Sequence, residues 1–273
     1  MGTDTEFGGL LRWWRAERRM SQLDLASEAM TTPRYVSFVE TGRAQPSRQM
    51  VVRLARALDV PLRERNGLLL AAGFAPLYAK GRLDAPQLAR VETALRSMLA
   101  QHEPFPAVVM DRGWDIVRVN DGARRLFGAL FAPAPLPDEG NNVLRLMIEP
   151  GPVRDHVANW IDVVPALLDR ARREAVGGVL DATTAALVEG LRARPEVAAL
   201  LASPDPAAPT APVIDVQFAL DGTTLSFFSV ISTLGTPTDV TAQELRLEAF
   251  FPSDEATRDA WAARSQASSS LTA

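Results

Sequence analysis

The sequence predicts an α+β fold class, with an N-terminal unit of five helices followed by an α+β unit that carries a helical insertion. Apolar residues recur at helical spacing through residues 7–72. The pattern changes to strand-like alternation at 104–120 and again at 212–251, and the stretch between them is typical of helices. With 273 residues, 47% of them hydrophobic, the chain is long enough for two domains.

Two short helices separated by a tight turn are the most informative feature of the first unit. Ser21 followed by Asp24 predicts a capping box at the start of the first helix. Thr32 followed by Pro33 predicts the N-cap and the first residue of the second, and Gly42 fits just past its end. Such a pair, with polar groups facing outward, is typical of entry into the DNA major groove. An ordinary helical hairpin is the alternative.

Charge is distributed unevenly along the chain. Residues 1–75 carry 11 arginines and 8 acidic residues, a net charge of about +3, whereas the remainder carries 18 basic and 25 acidic residues, about −7. A positive module within an acidic protein is consistent with contact to DNA phosphates.

Residues 7–72 resemble the phage-repressor/Cro class of helix-turn-helix domains, of the xenobiotic-response-element-like type. The resemblance is carried by Gln22, Ala26, Thr31-Thr32, Val36, Val39-Glu40 and Gly42. Met30 stands where the class has glycine, and a side chain disfavours a left-handed turn residue, so we expect a slightly remodelled turn.

The resemblance implies a DNA-contacting face on the second motif helix. Arg34 is the expected base reader, because its guanidinium can donate to guanine O6 and N7 together. Glu40 is expected to be a structural partner of a nearby arginine. For the arginines of this face, the alternative is a solvated surface charge. The residues expected to contact DNA are Ser21, Gln22, Thr32, Arg34, Tyr35, Ser37, Phe38, Arg43 and Arg48.

Beyond the first unit, strand and helix patterns alternate. Residues 104–120 predict a hairpin followed by a helix capped by Asn120, residues 212–234 predict a second hairpin, and 244–251 a last strand. We therefore expect about five antiparallel strands. A helix is expected from Gly151-Pro152 to residue 175, kinked or broken at Pro165, and an exposed loop at the proline-rich stretch 203–212.

These patterns give four expected regions: a helix-turn-helix domain at 1–78, a connecting helix at 79–103, an α+β domain at 104–264 and a flexible tail at 265–273. The apolar stripe of the connecting helix, Leu88, Leu95 and Leu99 among it, favours packing on the core of a domain. Contact with a second copy of the chain is the other interpretation.

The strand–Asn–helix order at 104–131 resembles the opening of a PAS domain. With ANW at 158–160 and FFSVISTLGTPTDVTAQELRLEAFFPSD at 227–254, the chain resembles the MmyB-like family of bacterial transcriptional regulators. The resemblance implies a cytoplasmic, homodimeric regulator that binds an operator in double-stranded DNA. It also implies a PAS-like domain that senses an apolar small molecule, with fatty acids as the associated class. The alternative is a protein-binding adaptor without a small-molecule ligand.

Aromatic and polar side chains of the sensor unit are the candidate ligand residues. They either fill an ordinary core or line a long cavity, where each buried methylene of a ligand contributes about 0.8 kcal/mol. Four of them offer a donor or cation for a carboxylate head group. The expected set is Met110, Trp114, Phe127, Phe131, Arg145, His156, Asn159, Trp160, Phe227 and Arg246.

The composition also predicts what the chain lacks. It has no cysteine, only two histidines, no glycine-rich phosphate loop and no nucleophile elbow, so we expect no enzyme, no metal site and no cofactor. No apolar run reaches the roughly 20 residues that span a bilayer, so no membrane partner is expected. The first residues do not read as a secretory signal.

Overall fold

The computed structural model describes residues 6–132, 141–173, 181–202 and 213–270, which form two compact units. The helices are α1 (Glu6–Glu17), α2 (Gln22–Glu28), α3 (Pro33–Glu40), α4 (Arg48–Ala57), α5 (Leu62–Ala71), α6 (Ala89–Gln101), α7 (Asp121–Phe131), α8 (Val143–Ile148), α9 (Pro152–Asp155), α10 (Trp160–Arg173), α11 (Ala182–Arg192), α12 (Pro195–Ala202), α13 (Val240–Glu244) and α14 (Glu255–Ser270). The strands are β1 (Ala107–Met110), β2 (Ile116–Val119), β3 (Val216–Leu220), β4 (Thr223–Thr233) and β5 (Arg246–Pro252). The predicted α+β class, with five helices first, is confirmed.

The first unit contains the five helices up to α5 and the distant segment Thr236–Gln243. Its core is apolar, with Leu11, Leu25, Val36 and Leu54 fully buried. Both predicted helix starts are present. Ser21 Oγ accepts from the Asp24 amide at 3.1 Å, while Asp24 accepts from the Ser21 amide at 2.8 Å. Thr32 Oγ1 accepts from the Tyr35 amide at 3.2 Å.

The turn between α2 and α3 keeps a left-handed residue in spite of its side chain. Met30 has φ +49° and is 77% exposed, so its side chain meets no packing obstacle. Arg53 Nη2 donates to the carbonyls of Ala29 and Met30 at 2.7 and 2.8 Å. The expected remodelling of the turn is therefore not found, and the arginine holds both turn carbonyls.

Helix α5 receives its N-terminal cap from a residue far away in sequence. Its N-cap residue, Pro61, makes no side-chain hydrogen bond, and the Leu62 amide donates instead to Gln243 Oε1 at 2.7 Å. The same segment is fixed by two further bonds. The Val240 amide donates to the Ala79 carbonyl at 2.8 Å, and Thr241 Oγ1 donates to the Gly81 carbonyl at 2.6 Å.

The second unit is built on a five-stranded antiparallel sheet with strand order β2-β1-β5-β4-β3. Side chains alternate between its faces. Ala107, Val109 and Leu247 lie on the face that packs against Leu95 and Leu99 of α6, in agreement with the core-packing interpretation of that stripe. The opposite face, which includes Val108 and Glu248, is directed at α7, α8 and α10.

The helix expected from 152 to 175 is interrupted, but earlier than its proline. Helix α9 ends at Asp155 and α10 begins at Trp160, with Pro165 inside α10. Asn159 bridges to the start of β3, donating to the Asp215 carbonyl at 2.8 Å and accepting from the Gln217 amide at 3.0 Å. Because the Asn159 side chain bonds to the backbone of Asp215 and Gln217, the chain is held to β3 at this point, and the helix is interrupted there.

The chain end also differs from expectation. Helix α14 extends to Ser270, past Ser265, where the sequence predicts the start of a flexible tail. Asp254 Oδ1 accepts from the Thr257 amide at 2.6 Å at the helix start, and the buried Trp261 donates from Nε1 to the Pro104 carbonyl at 2.8 Å. Alanine and serine after Trp261 permit the helix to continue. The loop predicted at 203–212 lies outside the described residues.

Candidate functional site

One face of α3 presents polar and aromatic groups to solvent. Arg34 is exposed, and its guanidinium carbon lies 5.1 Å from the centroid of the Phe38 ring, one turn along the same face. Tyr35, Ser37 and Phe38 are half-buried, and burial raises the pKa of the Tyr35 hydroxyl. The stacked guanidinium keeps its donor edge free to meet a planar acceptor.

A buried carboxylate fixes this helix to its neighbours. Glu40 is 1% exposed and accepts from Arg15 at 2.7 and 3.1 Å and from Gln22 Nε2 at 2.9 Å. Arg12 donates to the Glu40 carbonyl at 2.9 Å. The hydrogen bond with Glu40 raises the pKa of Arg15. The predicted structural role of Glu40 is confirmed.

The remaining residues predicted to contact DNA have mixed surroundings. Ser21 and Thr32 use their hydroxyls as helix caps, and Gln22 donates to Glu40. Arg43 is exposed, while Arg48 Nη2 donates to the Ala75 carbonyl at 3.3 Å. Among the arginines of the predicted set, Arg34 and Arg43 are therefore exposed without the backbone contact that Arg48 makes.

The second unit contains a partly open cavity of about 410 Å³ between the inner sheet face and the helices of the insertion. Most of its lining residues are apolar. The lining comes from Pro106, Val108, Ala123, Leu126, Phe127, Val143, Leu146, Met147, Val153, Val163, Ala166, Leu167, Val213, Ile214, Val216, Phe218 and Phe250, together with the polar residues Arg170, Arg173, Ser229 and Glu248.

The polar lining includes a buried ion pair. Arg170 donates from Nη1 and Nη2 to the two carboxylate oxygens of Glu248 at 2.7 and 2.9 Å. The Glu248 side chain is 5% exposed and that of Arg170 is 19% exposed. The guanidinium carbon of Arg170 also lies 4.9 Å from the centroid of the Trp114 ring. Such bidentate geometry fixes both side chains.

Of the ten residues predicted to hold a ligand, all within the described part of the chain, Phe127 lines this cavity. Four apolar ones, Met110, Trp114, Phe131 and Phe227, are buried in the surrounding hydrophobic core. Trp160 packs against that core and donates from Nε1 to the Met147 carbonyl at 3.0 Å. Apart from Phe127, these aromatic and sulfur-containing side chains thus belong to the core behind the lining.

The four polar residues of the predicted set have partners elsewhere. Arg145 pairs with Glu149 at 2.9 Å on the surface. A ring nitrogen of His156 lies 2.6 Å from the Pro152 carbonyl, and Asn159 bridges to β3. Arg246 donates to the carbonyls of Asp111 and Arg112 at 3.2 and 3.1 Å. None of these four lines the cavity.

The cavity residues missed from the sequence carried a usable signal. Arg170 follows Val163 and Leu167 on one helical face, so it continues an apolar stripe with a charge. Glu248 pairs with Val108 across two buried strands. A charge on an inward stripe and an acidic residue on an inward strand position together indicate a buried pair. In the first unit, by contrast, no sequence pattern indicates that Arg53 holds the turn between α2 and α3, because its carbonyl partners are 23 and 24 positions away.

Comparison with known proteins places the chain in a class of regulators. Residues 91–263 match the family described as the MmyB-like transcription regulator ligand binding domain, and residues 11–65 match a helix-turn-helix family. The chain belongs to the MmyB-like transcription regulators. It is a DNA-binding transcription regulator with a ligand-binding domain.

The curated relatives match a short stretch of the chain. Multiprotein-bridging factor 1 of Debaryomyces hansenii is 36% identical over 63 residues, which cover 23% of this chain and 42% of that protein. The protein of the same name from Candida albicans is 35% identical over 63 residues, with the same coverage. The match spans less than half the length of these relatives. Among the described helices, none is long and apolar enough to cross a membrane.

Proposed function

We propose that the chain is a homodimeric, cytoplasmic regulator that reads an operator through α3 and binds a fatty acid in the cavity of its second unit. The observation that carries the ligand proposal is the apolar cavity of about 410 Å³ with charged side chains in its lining. Small-molecule pockets in proteins have volumes of about 300–1,000 Å³. Ten buried methylenes would contribute about 8 kcal/mol before the costs of association.

The sheet covered by helices suits a PAS-like sensor, in which the ligand lies between sheet and insertion. Ligand binding can change the DNA affinity only if the ligand favours one arrangement of the dimer over another. The two families matched are regulatory, and we propose no enzymatic activity.

The DNA proposal rests on the exposed Arg34–Phe38 face. In a dimer, two such helices would meet half-sites about 34–36 Å apart, one turn of the duplex. Arg34 would read a guanine, with Tyr35, Ser37 and Phe38 beside it. Arg43 and Arg48 would contact phosphates, and Ser21, Gln22 and Thr32 would lie near the backbone of the operator.

Selection of an operator from random duplexes by the full chain, followed by binding titrations, tests the DNA proposal. Arg34→Ala should weaken specific binding by about 10- to 100-fold and relax preference at one base position in each half-site. Arg34→Lys is the matched variant, since it keeps the charge but loses the planar pair of donors. It should retain the salt dependence and still lose the base preference. An unchanged preference in both variants would contradict the proposal.

Native mass spectrometry of the purified chain, followed by denaturing extraction, tests the ligand proposal. We expect a co-purifying fatty acid, or stoichiometric uptake of one that is added. A protein that retains none would instead favour the adaptor hypothesis, in which the second unit binds another protein.

A further inference from the structure

The charged residues of the cavity lining are not equivalent. Arg170 and Glu248 satisfy each other through two hydrogen bonds at 2.7 and 2.9 Å, so their charges cancel. Arg173, one turn later on α10, also lines the cavity and is exposed. Within the described residues, Arg173 makes no hydrogen bond or ion pair. The lining described therefore carries one uncompensated positive charge.

Arg170 is a poor receptor for an incoming anion. A ligand carboxylate that took the paired Nη1 and Nη2 donors would displace Glu248, whose side chain is 5% exposed. That displacement would leave a buried carboxylate without a cation, which is strongly unfavourable. The stacking of Arg170 on Trp114 at 4.9 Å further fixes its position.

Arg173 has the opposite properties. Its guanidinium remains hydrated without ligand, because the residue is exposed, and its long stem can lie along the apolar wall. A carboxylate at the cavity mouth would gain two parallel hydrogen bonds from the planar fork. The alkyl chain would then extend inward past Leu167 and Phe127, which line the same cavity.

We propose that Arg173 binds the head group of the ligand, and that the ligand class is a single-tailed amphiphile bearing one negative charge. The inference rests on the proposed fatty-acid function and adds the residue and the charge that select the ligand. Neutral alcohols of the same chain length would lose the head-group contact while keeping the apolar one.

The experiment uses the delipidated full chain with two probes of equal chain length, dodecanoate and dodecanol. Dissociation constants are measured for the unmodified protein, Arg173→Ala and Arg172→Ala. Arg172 is the matched control, because it is exposed on the same turn but pairs with Glu189 at 2.8 Å and is not part of the cavity lining. Circular dichroism establishes that the variants are folded.

Arg173→Ala should weaken dodecanoate binding by about tenfold or more and leave dodecanol binding unchanged. Arg172→Ala should change neither. Equal effects of the two substitutions on dodecanoate, or no effect of either, would overturn the inference about Arg173 and leave the proposed function standing. Failure of the unmodified protein to bind either probe would overturn the proposed function and this inference with it.

Discussion

The carboxylate of Glu40 joins three helices of the first unit. It lies in the last turn of α3 and accepts from Arg15 on α1 and Gln22 on α2. Its backbone carbonyl accepts from Arg12, which adds a third hydrogen bond to α1. The exposed face of α3 therefore has a fixed orientation within its own unit, which is a requirement for reading bases.

Replacing Glu40 with alanine should loosen the first unit without touching the exposed face of α3. The change removes the carboxylate that accepts from Arg15, whose side chain is 18% exposed, and from the amide of Gln22, and it leaves Arg15 with the Met20 carbonyl as its acceptor. We expect a loss of about 2 kcal/mol, which corresponds to amide exchange in α1 and α3 that is about 30-fold faster. Hydrogen–deuterium exchange measured by mass spectrometry checks this.

Glu28→Ala is the control for Glu40→Ala, since Glu28 is exposed at the end of α2. It should change exchange by less than about twofold, as expected of a surface substitution. Equal protection of α1 and α3 in Glu40→Ala and Glu28→Ala would show that the buried carboxylate contributes little to the unit.

At the scale of elements, helix α7 packs closely at Gly122 against the backbone of Pro104 and Phe105. A Cβ on Gly122 would lie 2.5 Å from the Phe105 carbonyl oxygen and 2.6 Å from that of Pro104. A Cβ on Gly128, later in the same helix, would meet nothing within 4 Å. The two glycines thus offer the same substitution in crowded and in open surroundings.

Gly122→Ala should destabilise the second unit by about 2 kcal/mol, because the helix must move away from residues 104–105. Gly128→Ala should stabilise it by about 0.5–1 kcal/mol, since alanine is the better helix former and nothing obstructs it. Thermal unfolding followed by circular dichroism should shift the transition down for the first and up for the second. Shifts of the same sign would contradict the packing seen at Gly122.

Helix starts could be predicted from the sequence, because a cap is a contact over three residues. Ser21, Thr32 and Asn120 all cap as their positions indicate. The break before α10 could not, since it depends on Asn159 meeting Gln217 across 58 positions. The residues that line the cavity could not be predicted from the sequence either. Which aromatic side chains line it, and which stand behind it, is decided by the packing of helices on the sheet rather than by residue type.

At the scale of the whole molecule, the first unit is assembled from two stretches of chain. Thr236–Gln243 belongs with the first 82 residues, although β4 precedes it and β5 follows it in sequence. Gln243 accepts from the Leu62 amide at 2.7 Å and replaces the side-chain cap that Pro61 does not provide. No local pattern in the sequence predicts this contact, because 181 positions separate the partners.

Gln243→Ala should expose the first turn of α5. Loss of a cap costs about 1 kcal/mol, so the Leu62 amide should exchange about fivefold faster. Amide exchange followed by NMR on the full chain measures this directly. Gln49→Ala, an exposed change on α4, is the control and should leave that amide unaffected. An unaltered Leu62 amide in Gln243→Ala would show that the bond contributes nothing to the helix.

The divided first unit has a practical consequence for protein engineering. A chimera that joins residues 1–82 to a foreign sensor would discard Gln243, Thr241 and Val240 together with the three hydrogen bonds they make to Leu62, Gly81 and Ala79. Its fifth helix would fray at the start. A fusion that folds well should therefore include a segment that replaces Thr236–Gln243, or a side chain at position 61 that caps the fifth helix.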